Sequence, residues 1–200
     1  MYIAVVGNIG AGKTTLTNML AKHYGWEPRF ESVEDNPYLD DFYKDMKRWS
    51  FDLQVYFMNK RIHDIMDITK SGETVIQDRC AFEDRYIFAP TLYEQGNLTE
   101  RDFALYSELF DMMIKLVPQP DLVIYIKSSI GNLVNQIEKR NRGCESTMSI
   151  DYLSNLNNKY NDWISKYQGN VVTIDGDTCK FENNESDFTH VIEEINKIIK

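Results

Sequence analysis

The stretch Gly7-Asn8-Ile9-Gly10-Ala11-Gly12-Lys13-Thr14 constrains this chain more than any other. It satisfies the spacing G-x-x-x-x-G-K-[ST], and its flanks agree with it. The apolar run Tyr2-Ile3-Ala4-Val5-Val6 before it reads as a buried parallel strand, and Leu16, Met19 and Leu20 recur after it at helical spacing. A strand, a glycine-rich loop and a helix in that order make a mononucleotide phosphate cradle. The glycines permit a tight turn and close backbone approach, while the loop N–H groups and the helix N-terminus hold phosphate oxygens. On this reading residues Gly7 to Thr15 bind the phosphate chain, Lys13 reaches the β- and γ-phosphates, and Thr14 ligates Mg²⁺. A glycine-rich turn that binds nothing has no need of Lys-Thr at that offset. The expectation is a protein that uses ATP or GTP.

Two hundred residues predict one domain spanning 1–200, and an apolar fraction of 42% is ordinary for a globular chain. A formal net charge of -9 with no basic stripe argues against nucleic acid as the main partner. Cys80, Cys144 and Cys179 are widely spaced, with no C-x-x-C and no nearby histidine pair, which disfavours both a disulfide framework and a zinc site. No segment resembles a signal peptide, and no run approaches the roughly 20 apolar residues of a membrane helix. The expectation is an intracellular, cytoplasmic protein with no membrane partner. Without secretion, the acceptor-like triplets Asn97-Leu98-Thr99 and Asn184-Glu185-Ser186 carry no meaning.

Strands are predicted at about 2–7, over Glu27 to Val33, at 74–78, at 122–126 and at 171–174. Helices are predicted at about 13–24, from Asn36-Pro37, and over 50–70, 80–90, 99–117, 129–141, 149–167 and 186–199. Phe51, Val55, Met58, Ile62, Ile65 and Met66 mark one face of the long central helix, and Gly72 ends it. The polar segment 176–187 reads as a mobile loop. Alternation of strands with helices gives the class α/β with a five-stranded parallel sheet flanked by helices. In such sheets ligands bind beyond the carboxyl ends of the strands.

Charged residues at those ends are the next candidates. Glu31, near the end of the second strand, can take a proton from a substrate hydroxyl or be a solvated strand-end glutamate. Asp78-Arg79 closes the third strand: the acid suits Mg²⁺ held through water, and the arginine suits transferring phosphate oxygens, against the plainer reading of a surface ion pair. Lys139-Arg140-Asn141-Arg142-Gly143-Cys144-Glu145 lies between two helices and reads equally as a cationic lid, about 139–148, or as ordinary helix C-terminal cations. Gln54 suits a base edge, but alone reads as an exposed glutamine on a core helix. His23, His63 and His190 find no partners in the sequence.

Taken in order, these pieces resemble the deoxyribonucleoside kinase family over nearly the whole chain, in its bacterial branch. The loop at 7–15 is close to that family's phosphate loop, and Glu31-Ser32-Val33 is similar to its Glu-Pro-Val. Phe42-Tyr43-Lys44-Asp45 with Trp49, then Gln54, Asp78-Arg79-Cys80, Phe88 and Arg140/Arg142/Glu145 follow at the family's spacing. The resemblance implies a P-loop kinase fold with an Arg-rich lid, transferring phosphate from ATP with Mg²⁺. It implies Glu31 as base toward the 5′-hydroxyl, with Lys13, Arg79, Arg140 and Arg142 on phosphates. Tyr43 and Glu145 would hold the 3′-hydroxyl, Gln54 would pair with the base, and Phe88 would stack on it. It further implies a homodimer through a helix bundle and feedback by a deoxynucleoside triphosphate. Three positions depart from the pattern: Ser32 replaces proline, Cys80 replaces serine, and Asn36 stands where animal members carry tryptophan. Arg61 and Asp84 match the pair that contacts the base edge in the family's deoxycytidine and deoxyguanosine kinases. Such a pair offers donors and an acceptor to a purine and crowds a thymine methyl. The expected order is purine deoxynucleosides first, deoxycytidine allowed, thymidine poor; Phe57 stands where smaller residues are often found in the family and leaves the ranking among the first two open. Two rivals are a nucleoside monophosphate kinase, which needs cations for the acceptor phosphate, and a nucleotide-switched regulator, which wants an Asn-Lys-x-Asp guanine reader that the chain lacks.

Overall fold

The computed structural model describes residues 1–31, 35–140 and 148–199. Its central strand, β1 (Tyr2–Gly7), is buried along its full length, as a strand paired on both edges and covered on both faces must be. Successive side chains point to opposite faces: Tyr2, Ala4 and Val6 enter one core cluster, Ile3 and Val5 the other. The chain then runs through α1 (Lys13–Tyr24), β2 (Glu27–Arg29), α2 (Leu39–Lys44), α3 (Met46–Ser71), β3 (Val75–Asp78), α4 (Ala81–Glu83), α5 (Ala89–Glu94) and α6 (Glu100–Met113). It continues with β4 (Leu122–Lys127), α7 (Ile130–Arg140), α8 (Ile150–Lys166), β5 (Val171–Asp175) and α9 (Glu185–Asn196). The strands form the expected five-stranded sheet, in the order β2-β3-β1-β4-β5 and parallel throughout.

One face of the sheet is covered by α1 and α9 through Leu16, Leu20, Val191 and Ile195. The other is covered by α3, α5, α6 and α8 through Met58, Ile65, Leu92, Phe110 and Leu156. Each such side chain contributes roughly 1.5–3 kcal/mol on burial. Parallel strands bring all their carboxyl ends to one edge, and the register Val5↔Asp78 and Gly7↔Ile126 sets the loop after β1 between the ends of β3 and β4. That loop is wedged. A Cβ at Gly7 would come within 2.8 Å of the Ile126 carbonyl oxygen, and one at Gly10, with φ +83, within 2.9 Å of the Leu133 carbonyl oxygen and of Ile137. Only glycine fits either place.

Some elements differ from expectation. The extended run over Glu27 to Val33 shortens to β2, an edge strand paired only with Val75–Gln77 of β3, so Glu31 lies two residues past the strand and not at its end. Asn36-Pro37 does not open a helix: the Asn36 side-chain oxygen accepts the Tyr38 N–H, and α2 starts at Leu39. The central helix begins earlier than 50, at Met46, because Asp45 caps it by accepting the Arg48 N–H. Its buried stripe passes through Met58, Ile62 and Ile65 to Ile68, leaving Met66 exposed. The single helix expected over 80–90 is broken into α4, a π turn at Asp84–Phe88, and α5. Pro90 accounts for the widening, since it has no N–H to offer the Tyr86 carbonyl and its ring would crowd that oxygen. The segment 176–187, expected as a mobile loop, is tied down by hydrogen bonds and one buried side chain over 176–184, and from Glu185 it belongs to α9. The Cys179 N–H bonds to the Asp175 carbonyl, the Lys180 N–H to the Asp187 carboxylate, and Phe181 is buried against the α1 side of the sheet. Among the described residues no helix is long and apolar enough to cross a membrane, and no cluster of three or more His, Cys, Asp or Glu side chains is placed to hold a metal. The lid expected over 139–148 falls largely outside the described residues.

Candidate active site

The phosphate loop is preformed. Lys13, almost fully buried, donates to the Asn8 carbonyl at 2.9 Å. Burial, reinforced by the nearby positive charge of Arg79, lowers its ammonium to about 8. The Thr14 hydroxyl donates to Asp78 Oδ2 at 2.5 Å, while Asp78 Oδ1 is buried with no hydrogen-bond partner among the described residues. A hydroxyl beside an orphaned carboxylate oxygen fits a hard cation that keeps waters and phosphate oxygens in its remaining positions, as Mg²⁺ does. Residues Gly10 to Thr15 line a cavity closed by Asn132, Gln136, Lys139 and Arg140 of α7 and by residues of the 176–183 segment. Sequence reading missed this last wall; the one apolar aromatic in that polar stretch, Phe181, was its only signal. Gly7 and Asn8 line neither this cavity nor its neighbour. Asn8 instead turns toward α8, donating to the Leu153 carbonyl at 3.0 Å and to Asn157 Oδ1 at 3.3 Å.

A second cavity opens on the other side of Lys13 and Thr14. It gathers Glu31, Tyr43, Gln54, Phe57, Arg61, Asp78, Arg79, Asp84, Phe88 and Arg140, which the sequence scatters over α2, α3, β3, the π turn, α7 and the residues just past β2 and β3. Phe42 of the Phe42-Tyr43 motif adds to its walls, as do Phe30, Leu39, Leu53 and Tyr152, which were not foreseen. Gln54 is buried, not exposed, and its Oε1 has no partner among the described residues, so an acceptor is held open in an apolar wall. Arg142 and Glu145 lie outside the described residues.

Five charged side chains form a continuous network behind the cavity. Arg61 pairs through Nη1 with both Asp84 oxygens and through Nη2 with Glu31 Oε1. Arg79 Nε donates to Glu31 Oε2 at 3.2 Å. Its Nη1 donates to Glu83 Oε1 at 3.3 Å, the Tyr160 hydroxyl at 2.9 Å and the Gly7 carbonyl at 3.4 Å. The guanidiniums also cover aromatic faces, Arg61 over Phe57 at 4.8 Å and Arg79 over Phe88 at 4.9 Å. Burial by itself would raise the Glu31 carboxyl, but Arg79, Arg61 and Lys13 together outweigh it and hold the group at about 2. Asp84 goes the other way: burial pushes its carboxyl up against the pull of Arg61. Arg79 itself sits at φ 74, a left-handed conformation uncommon for a residue with a Cβ.

Glu83 and Tyr160 were not singled out from the sequence. Glu83 sits in a three-residue helix and Tyr160 in the middle of an amphipathic one, so neither carries a local signal. Cys80, in place of serine, retains a use there: its sulfur accepts the Glu83 N–H while Glu83 Oε2 accepts the Cys80 N–H at 2.7 Å.

The model of the deoxynucleoside kinase family matches residues 3–200. A deoxyadenosine/deoxycytidine kinase of Bacillus subtilis is 35% identical over 200 residues, covering 98% of this chain and 92% of its own. A deoxyadenosine kinase of Dictyostelium discoideum is 41% identical over 169 residues, covering 83% of this chain and 69% of its own. Among solved structures, deoxyadenosine kinase from M. mycoides with bound dCTP superposes with a TM-score of 0.88 at 27% identity, covering 99% of this chain and 100% of that one. The same enzyme with bound dATP gives 0.86 at 28% identity, covering 98% and 99%. Because the match takes in the phosphate loop, the arginine–carboxylate network and every helix around the cavity, this chain belongs to the deoxynucleoside kinase family.

Proposed function

We propose that the chain, as one P-loop kinase domain, transfers the γ-phosphoryl group of ATP to the 5′-hydroxyl of a deoxyribonucleoside. Purine deoxynucleosides are preferred, deoxycytidine is accepted and thymidine is poor. The observation that carries this reading is the bridge Arg61–Glu31–Arg79, which joins the aromatic-walled cavity to the phosphate loop through one carboxylate. In this reaction Glu31 takes the 5′-hydroxyl proton, Lys13 and Arg79 offset charge on the transferring phosphoryl oxygens, and Arg140 and Arg142 add charge from the lid. Tyr43 and Glu145 bind the 3′-hydroxyl, Phe88 stacks on the base, and Gln54 with the Arg61–Asp84 pair reads its edge. Thr14 and Asp78 would hold Mg²⁺, which supplies neutralisation of the donor phosphates. The working form is a cytoplasmic homodimer.

Charge balance favours a nucleoside over a nucleoside monophosphate as acceptor. Arg61 and Arg79 are matched by Glu31, Glu83 and Asp84. With Arg79 serving the transferring phosphoryl group and Arg61 held by Glu31 and Asp84, an additional acceptor phosphate would set a dianion against three carboxylates. The test incubates the protein with Mg-ATP and a panel of nucleosides and monophosphates, resolving products by chromatography. Deoxyadenosine and deoxyguanosine are expected to yield monophosphates rapidly and thymidine slowly. Phosphorylated monophosphates beside untouched nucleosides would overturn the reading. Asp84→Ala is expected to narrow the purine-over-thymidine ratio of kcat/KM by at least ~10-fold, the scale of one lost buried hydrogen-bonding group. An unchanged ranking would remove the Arg61–Asp84 pair from base selection.

A further inference from the structure

We infer that Glu83 and Tyr160 act as a positioning pair that fixes the guanidinium of Arg79 for phosphoryl transfer, with α8 as the strut that carries Tyr160. Neither side chain lines the cavity, so the pair touches no substrate and reaches the reaction through Arg79, which both contact. Glu83 is fully buried, and a buried carboxylate costs several kcal/mol unless its oxygens are satisfied. Here Oε2 takes the Cys80 N–H at 2.7 Å. Oε1 takes the Tyr160 hydroxyl at 2.6 Å, Arg79 Nη1 at 3.3 Å and the Gly7 N–H at 3.4 Å. Capping a helix as short as α4 uses Oε2 alone. The contacts of Oε1 tie together the ends of β1 and β3 and the middle of α8, and they converge on one arginine.

Arg79 needs such a hold. Its left-handed backbone is not one that an arginine maintains by itself. Glu31 fixes Nε from one side, while Glu83, Tyr160 and the Gly7 carbonyl fix Nη1 from the other. None of the described contacts engages Nη2, which these anchors leave for a phosphoryl oxygen. Tyr160 is itself anchored. Burial and the Glu83 charge push its phenol well above the usual range, so it keeps its proton and donates it to Glu83 while its oxygen accepts from Arg79. Its ring stacks on Tyr125 of β4 at 6.0 Å. One turn earlier, Asn157 is bonded to Asn8 of the phosphate loop and to the Ser128 carbonyl, so α8 is pinned to the loop that holds the donor. A 1 Å error in a charge-stabilising group can cost orders of magnitude in rate.

The inference rests on Arg79 serving the proposed transfer, and a double-mutant cycle separates the two. Tyr160→Phe keeps the ring and removes the hydroxyl. It is expected to lower kcat by about 10-fold while the deoxynucleoside KM stays within about 2-fold, the pattern of an interaction realised in the transition state. Glu83→Gln is expected to do the same. In an Arg79→Ala background, neither change should lower kcat further, since the group they position is gone. If Arg79→Ala leaves kcat intact, the role of Arg79 in the proposed reaction fails. If Arg79→Ala impairs turnover but Tyr160→Phe and Glu83→Gln do not, or if they lower kcat equally in both backgrounds, the positioning pair is overturned and the proposed function stands.

Discussion

At the scale of single residues, the cations around Glu31 govern when it can accept a proton. With its carboxyl held at about 2, it is ionised throughout the working pH range but weakly basic in the free protein. Arrival of a polyanionic donor beside Lys13 adds negative charge near it and raises its proton affinity when transfer begins; in a loose phosphoryl transition state that proton moves late. Glu31→Gln preserves size and keeps one acceptor oxygen for the two arginine donors, but loses the other and cannot take the proton. It is expected to lower kcat at least ~100-fold with little change in deoxynucleoside KM, read by steady-state kinetics; near-normal turnover would remove Glu31 from the role. Lys13 sets the opposite limb. Its folded value of about 8 lies below that of an unburied lysine, so the free protein carries this cation below pH 8 and loses it as pH rises through that value. The pH profile of kcat/KM for ATP should therefore fall on the alkaline side near 8. At saturating ATP kcat should hold to higher pH, because bound phosphate draws the proton back onto the amine. A kcat/KM profile flat beyond pH 10 would show that Lys13 stays charged when free. Acid inactivation above about pH 2 should not come from Glu31.

At the scale of elements, the phosphate loop depends on backbone space as much as on its lysine. Gly10→Ala forces a Cβ into a left-handed conformation and against the Leu133 carbonyl oxygen. Gly25→Ala at the end of α1 meets the same conformational penalty with open space around it. Both should lose roughly 1–2 kcal/mol of stability from backbone strain. Only Gly10→Ala should also raise the KM for ATP, by at least ~10-fold, since the loop must move off α7 to relieve the clash. Equal KM values for the two variants would deny the wedge. This loop was readable in the sequence because its chemistry is local: glycines, lysine and threonine at fixed offsets between a strand and a helix. Asp78-Arg79 was readable as the end of β3 for the same reason. The partners of Arg79 were not. Glu83 and Tyr160 are 77 positions apart, and their meeting depends on how α8 packs across the sheet, which no periodicity encodes. Asn8 occupies an unconstrained position of the motif, so its bond to α8 was equally silent. The 176–184 segment was misread because its order comes from backbone hydrogen bonds and one buried phenylalanine, against a strongly polar composition. The length of α3 was underestimated where a single capping aspartate decided it.

At the scale of the whole molecule, the helices on the side of the sheet away from α1 and α9 leave apolar surface uncovered. Leu105 and Met112 of α6 are 48% and 58% exposed, and Leu116, just past its end, is 72% exposed. Spacings of seven and four set them on one helical stripe, and α3, which packs against α6, adds exposed Met66. A stripe of this kind on a chain of net charge -9 is a poor final surface and a good seam for a second copy, provided the interface clears about 1,000 Å². Two copies of like charge repel, so association should tighten as salt screens the repulsion over a Debye length of about 10 Å at 0.1 M. Light scattering on a sizing column should give twice the chain mass of 23.4 kDa for the unsubstituted protein, with the dimer fraction rising between low and moderate salt. The double variant Leu105→Glu, Met112→Glu adds two charges per copy at the centre of the stripe and should run at the single-chain mass with an unchanged helical circular dichroism spectrum. An unsubstituted protein that stays at 23.4 kDa at micromolar concentration and moderate salt would refute the helix-bundle dimer. A double variant that remains dimeric would move the interface off α6.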